Sequence, residues 1–166
     1  DLAGILVARP AKGSSCTLAV SAKGGNNAEN HNHNDIGSYA VALGKCTMVG
    51  DQGGPFSYPG DYFSAEAPEK YKIKGSFGHP VPVVDGKTQS SGAKASAIVL
   101  KKEFTDVKDL LCIDYTSAYS TPSLDKLVRT FVYDRQGKGS FTVGDEFTAN
   151  APIRFETAIT TQANWK

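Results

Sequence analysis

Cysteine is scarce in this chain: its three copies, Cys16, Cys46 and Cys112, are odd in number and far apart, with no CxxC pair. That pattern indicates neither a disulfide framework nor a zinc knuckle. Each thiol lies in an apolar or mixed stretch and is read as buried and free rather than reactive. Net charge is nearly absent as well, because 18 basic and 17 acidic side chains leave +1, and this balance gives no sign of a nucleic-acid or membrane-surface protein. No stretch approaches the roughly 18 consecutive apolar residues of a membrane-spanning helix, and the first residues lack the charged and apolar regions of a signal peptide. Long helical periodicity, internal repeats and low-complexity tracts are missing too. The chain opens on Asp1 rather than Met, with an apolar stretch at 2–8, so it is expected to be a piece of a longer polypeptide whose signal peptide is lost from view.

What is present suits one domain, residues 1–166, with 40% hydrophobic residues to supply a core. Apolar runs of strand length, rich in Val, Ile, Phe, Tyr and Thr, recur at 4–9, 16–22, 36–43, 46–49, 81–84, 95–101, 110–115, 126–133, 140–143 and 153–160. Gly, Pro, Asn and Asp clusters separate them, a spacing that predicts an all-β antiparallel sandwich. Residues 126–133 partly alternate apolar and polar, as in a strand with one face in the core, and residues 134–139 read as the turn of a hairpin. Residues 50–78 are rich in Gly, Pro and Asp yet carry Tyr58, Tyr62, Phe63 and Tyr71. So many aromatics point to an ordered loop near a site.

The most informative run is Asn30-His31-Asn32-His33-Asn34-Asp35-Ile36-Gly37-Ser38-Tyr39, which holds two of the three histidines beside an acid. Imidazole is a common metal ligand and the side chain best suited to proton transfer near neutral pH. If residues 31–35 are extended, alternation sends His31, His33 and Asp35 to one face. Zinc is usually held by three or four His, Asp, Glu or Cys ligands. Asp51 and His79 stand out as distant ligands on Gly-rich bends, so the expected metal set is His33, Asp51 and His79. The bland alternative makes each histidine a satisfied structural residue, and the clustering argues against it.

Gly24-Gly25-Asn26-Asn27-Ala28-Glu29-Asn30-His31-Asn32-His33-Asn34-Asp35-Ile36-Gly37-Ser38-Tyr39 resembles a segment of the heparinase II/III-like polysaccharide lyases, in the β domain that follows their helical toroid. The likeness continues through Asp51-Gln52-Gly53, Tyr62-Phe63-Ser64, Lys70-Tyr71, Ser76-Phe77-Gly78-His79-Pro80-Val81-Pro82 and Val84-Asp85-Gly86 to Gln89 and Gly92. Lys70 stands where an arginine is common in that family. The resemblance implies that His33, Asp51 and His79 are ligands of one zinc, mostly structural, and that His31 is the catalytic histidine facing the substrate cleft. It further implies a preceding helical domain of the same polypeptide carrying the catalytic tyrosine, an acidic polysaccharide substrate, and a bacterial periplasmic or secreted location. A fragment without that helical domain is expected to be inactive.

A lyase of this kind cleaves a uronic-acid-containing glycan by β-elimination. It must neutralise the carboxylate, take the proton on the adjacent carbon and protonate the leaving oxygen. The rival expectation is a non-catalytic carbohydrate-binding or scaffolding module with a structural zinc. A zinc hydrolase is a third reading, but the sequence lacks HExxH. Asn30, Asn32 and Asn34 are candidate sugar contacts or simple turn residues, and Glu29 is a candidate to orient a histidine. Tyr39 and Tyr58 are read first as packing residues.

Overall fold

Alternation of apolar and polar side chains builds most of the ladders. In the computed structural model, which describes residues 4–161, strands β1 (Ile5–Ala8), β2 (Leu18–Lys23), β4 (Tyr39–Leu43) and β5 (Cys46–Val49) form one sheet in the order β1-β2-β4-β5. Strands β8 (Ile98–Phe104), β9 (Lys108–Asp114), β10 (Leu124–Asp134) and β11 (Ser140–Ala149) form the second, ordered β11-β10-β9-β8. Two short pairs complete the fold: β3 (Asn26–Asn27) with β7 (Gly92–Ser96), and β6 (Pro82–Val84) with β12 (Phe155–Thr157). Every one of these ladders is antiparallel. The architecture is all-β, as the spacing of apolar runs predicts. Leu2 and Ala3, at the start of the first apolar stretch, lie outside the described residues.

Both large sheets contribute to one core. Leu6, Val20 and Ala22 from the first meet Leu111, Ile113, Leu127, Phe131 and Tyr133 from the second. Tyr39 packs edge-on to Phe131, so it is a core residue rather than a sugar platform. Along β10 the buried positions Leu127, Arg129, Phe131 and Tyr133 alternate with partly exposed Val128, Thr130 and Val132. One of the four inward side chains is therefore an arginine.

The structure departs from the sequence reading in several places: the run at 140–143 continues to Ala149 as β11, and that at 153–160 pairs only over Phe155–Thr157. The run at 95–101 is split: β7 ends at Ser96, Ala97 donates its amide to Gly25 O at 2.8 Å, and β8 begins in a different sheet. Cys46 is exposed rather than buried because it starts β5, an edge strand, while Cys16 is buried as expected. Residues 50–78 form an ordered loop as read, but with a short helix α1 (Ala67–Lys70) and a 3-10 turn (Ser76–Gly78) inside it. Residues 31–35 are not an extended strand.

The β10-β11 hairpin turns where the Asp-Gly-Lys-Gly composition places it. Asp134 Oδ1 accepts the Gln136 amide at 2.8 Å, and Gly139 donates to Gln136 O at 2.9 Å. Gly139 has φ +84, and a Cβ built there would stand 2.4 Å from Cys16 Sγ. Gly139→Ala should therefore cost about 1–3 kcal/mol through overpacking and left-handed strain. Urea denaturation reads this as a lowered midpoint at unchanged slope, and an unchanged midpoint would contradict the packing.

Candidate metal centre and adjoining cavity

The His31 segment is held by loop contacts instead of a ladder. Asn26 Oδ1 accepts the Ala28 amide at 2.9 Å, Asn32 N donates to Glu29 O at 3.1 Å, and Asn34 N donates to Lys74 O at 2.8 Å. His31 sits at φ +59, in the left-handed region. This turn defeats the period-two expectation, and His31 and His33 part company. His31 lines an open cavity of about 620 Å³ and packs against Phe63, with ring centroids 4.6 Å apart. His33 instead meets His79 and Asp51.

Three residues far apart in sequence converge there: His33, Asp51 and His79 each offer a ligand atom, all within 4.8 Å of one another. His33 comes from the loop before β4, Asp51 from the bend after β5 and His79 from the end of the 3-10 turn. His33 Nδ1 lies 3.0 Å from His79 Nε2 and 3.8 Å from Asp51 Oδ2. Ligand atoms 2.0–2.1 Å from a tetrahedral ion stand about 3.3–3.4 Å apart, so the observed separations bracket that spacing. The two-nitrogen, one-carboxylate donor set also fits zinc chemistry, and the site can hold a metal ion.

Local contacts aim these groups. Asp51 Oδ1 accepts the Gly53 amide at 2.6 Å, which leaves Oδ2 toward the histidines. His79 is 1% exposed, and its Nδ1 stands 3.8 Å from Asp35 Oδ2 and 3.7 Å from Asp51 Oδ2. Asp35 is in turn ion-paired to Lys23 and accepts a hydrogen bond from Ser38 Oγ at 3.1 Å. A carboxylate hydrogen-bonded behind a histidine is the usual means of fixing a ligand's ring orientation; Asp35 faces the His79 ring but at 3.8 Å makes no hydrogen bond to it. Burial and, next, the neighbouring His79 imidazole hold the His33 pKa below its ordinary value, against the pull of Asp35 and Asp51. The neutral imidazole that a metal requires is thereby favoured.

Arg129 supports the centre from beneath. Its Nη1 donates to Gly37 O and to Pro80 O, each at 2.8 Å, tying the loop that follows Asp35 to the residue after His79. Asp35 stands within the histidine-rich motif at 30–39, so its place at the site is legible from sequence. Arg129 carries a local signal, since period two sets it on the face of β10 shared by Leu127, Phe131 and Tyr133, whereas nothing local marks Lys74 as inward-facing. The other candidates fall into structural or peripheral positions. Asn34 is buried and donates to Gln89 O at 3.2 Å and Ser91 Oγ at 3.0 Å, Asn32 and Asn30 line the cavity, and Glu29 accepts from Asn26.

No family model and no curated protein matches the chain. The metal reading accordingly stands on the residues themselves. Protein purified without a polyhistidine tag should hold about one equivalent of metal, and His79→Ala should hold less than about a tenth, since a three-ligand site loses most of its affinity with one ligand. Chelation should lower the melting temperature of the wild-type chain and leave the variant unmoved. Equal metal content in both proteins would remove His79 from the site.

Proposed function

We propose that this chain is the metal-binding β domain of a polysaccharide lyase that cleaves uronic-acid-containing glycans by β-elimination. The observation that supports it is the convergence of His33, Asp51 and His79, from three distant motifs, on one ligand-sized space. The cavity that His31 lines adjoins that loop. Zinc, when bound, would supply a fixed positive charge cross-linking the loops that carry His33, Asp51 and His79. The remaining work falls to the chain's own groups. His31 would hydrogen-bond the sugar acid or carry a proton between substrate and solvent, held in place by its turn and by Phe63. A tyrosine of a preceding helical domain would act as the principal base or acid. The proposal includes a bacterial periplasmic or secreted location, where acidic polymers are met.

One observation favours a second reading, a non-catalytic carbohydrate-binding module with a structural zinc: Tyr58 and Phe63 are more than half exposed beside the cavity, as sugar-stacking aromatics often are. Activity separates the two. The 166-residue chain alone should release no product from a uronate polymer. Joined to the helical domain it should give products bearing a new carbon-carbon double bond conjugated to the carboxylate, read by ultraviolet absorbance. No absorbance from the joined protein on any uronate polymer would leave the binding-module reading in place.

A further inference from the structure

We infer that Lys74 recognises the carboxylate of an acidic sugar bound in the cavity beside His31. This inference rests on the acidic-glycan reading above and adds the group that meets the charge.

Among the described residues four cations are buried or half-buried: Lys23, Lys74, Arg129 and Arg135. Three have a carboxylate: Lys23 pairs with Asp35, Arg129 with Asp145 and Arg135 with Asp109. Lys74 is the exception, although it is only 2% exposed. Its Nζ donates to Tyr62 O at 2.7 Å and lies 4.9 Å and 5.4 Å from the ring centroids of Tyr62 and Phe63. An ammonium carries three donors, and ring faces attract its charge without giving the remaining two a directional acceptor. Burial alone shifts the Lys74 pKa downward, with no neighbouring carboxylate to oppose it. Keeping an ammonium out of water without a counter-charge is costly.

The position of Lys74 supplies the reason for bearing that cost. Lys74 lines the same cavity as His31, Asn30, Asn32 and Phe63. Its ring neighbour Phe63 also packs on His31. A saccharide anion entering there would restore the missing counter-charge and accept the unused N–H groups. The surrounding amides and the Phe63 face suit hydroxyls and a sugar ring. A carboxylate is favoured over a sulfate ester because β-elimination requires the acid next to the reacting carbon to be neutralised.

The test uses the whole chain and three probes: an unsulfated glucuronate-containing oligosaccharide, the same oligosaccharide with its carboxyl groups reduced to alcohols, and a sulfated neutral galactose oligosaccharide. Nuclear magnetic resonance titration should show wild-type protein binding the acid about tenfold more tightly than its reduced form, the worth of one charge-assisted hydrogen bond. Lys74→Met should bring the acid down to the affinity of the reduced form and leave the latter unchanged. The Lys74 Nζ resonance of the wild type should move with the acid and not with the reduced form, a readout that holds even if the variant does not fold. A folded Lys74→Met protein that keeps the preference, or a silent Nζ resonance at saturation with the acid, overturns the inference while leaving the acidic-glycan reading intact. No preference in the wild type overturns both. A response confined to the sulfated probe overturns the carboxylate assignment.

Discussion

In the chain joined to its proposed helical domain, His31→Ala should lower turnover by about 10²–10⁴-fold, the usual contribution of a positioned acid or base, with metal content and melting temperature unchanged. The separation of the two histidines is what makes this pattern expected. His31 lines the cavity and is fixed by a left-handed turn, whereas the group that can hold a metal consists of His33, Asp51 and His79. A residue held at positive φ without being glycine stores strain, and such strain is found preferentially at functional positions. His33→Ala should lose activity by another route, shedding the metal and loosening the loops, so its melting temperature should fall together with turnover. Measuring metal content, melting and initial rates on both variants separates the roles. Wild-type turnover in His31→Ala, or metal loss in that variant, would show that the two histidines share one task.

Those features of the fold that depend on side-chain period were legible in the sequence, and those that depend on distant backbone partners were not. β10 announces itself by alternation and β5 by its run of strand formers, and the predicted spans 126–133 and 46–49 nearly match the observed limits. The break at Ala97 was not visible, since what creates it is a hydrogen bond to Gly25 O. The same distinction applies at the site. His33 and His79 stand out because the chain has three histidines, and Asp51 because it opens a Gly-rich bend; the fold brings the three together. Alternation puts His31 beside His33 only where residues 31–35 are extended, and the Asn32 and Asn34 amides are instead engaged by the Glu29 and Lys74 carbonyls, the latter a distant partner that the run itself does not reveal. Lys74 looks like an ordinary surface cation in a charge-balanced chain and its meaning comes only from burial, whereas Arg129 shares the period-two core face of β10 with Leu127, Phe131 and Tyr133.

Arg129→Met should destabilise the chain by about 3–5 kcal/mol, the usual cost of removing one partner of a buried ion pair. Arg129 is 1% exposed and its partner Asp145 13%. The two face each other across the β10-β11 ladder, joined by Nε to Oδ1 and Nη2 to Oδ2, both at 2.7 Å. Such a bidentate geometry is among the stronger charge-assisted contacts. Methionine would fill much of the volume but leave Asp145 with the Tyr115 hydroxyl, at 3.1 Å, as its remaining hydrogen-bond partner. The Gly37 and Pro80 carbonyls would lose their donor at the same time. Lysine is expected to rescue little, since an ammonium cannot span a carboxylate and two carbonyls as the guanidinium fork does. Adding Asp145→Leu to Arg129→Met should recover part of the loss, because an unpaired buried charge costs more than an apolar pair. Because Pro80 follows His79 and Gly37 lies two residues past Asp35, metal affinity should fall in the single variant as well. Urea denaturation of the metal-free proteins isolates the folding effect, and metal titration of the folded variant reads the effect on the site. A loss under about 1 kcal/mol would mean that solvent already screens this pair, and that Arg129 does not brace the loops of the metal centre.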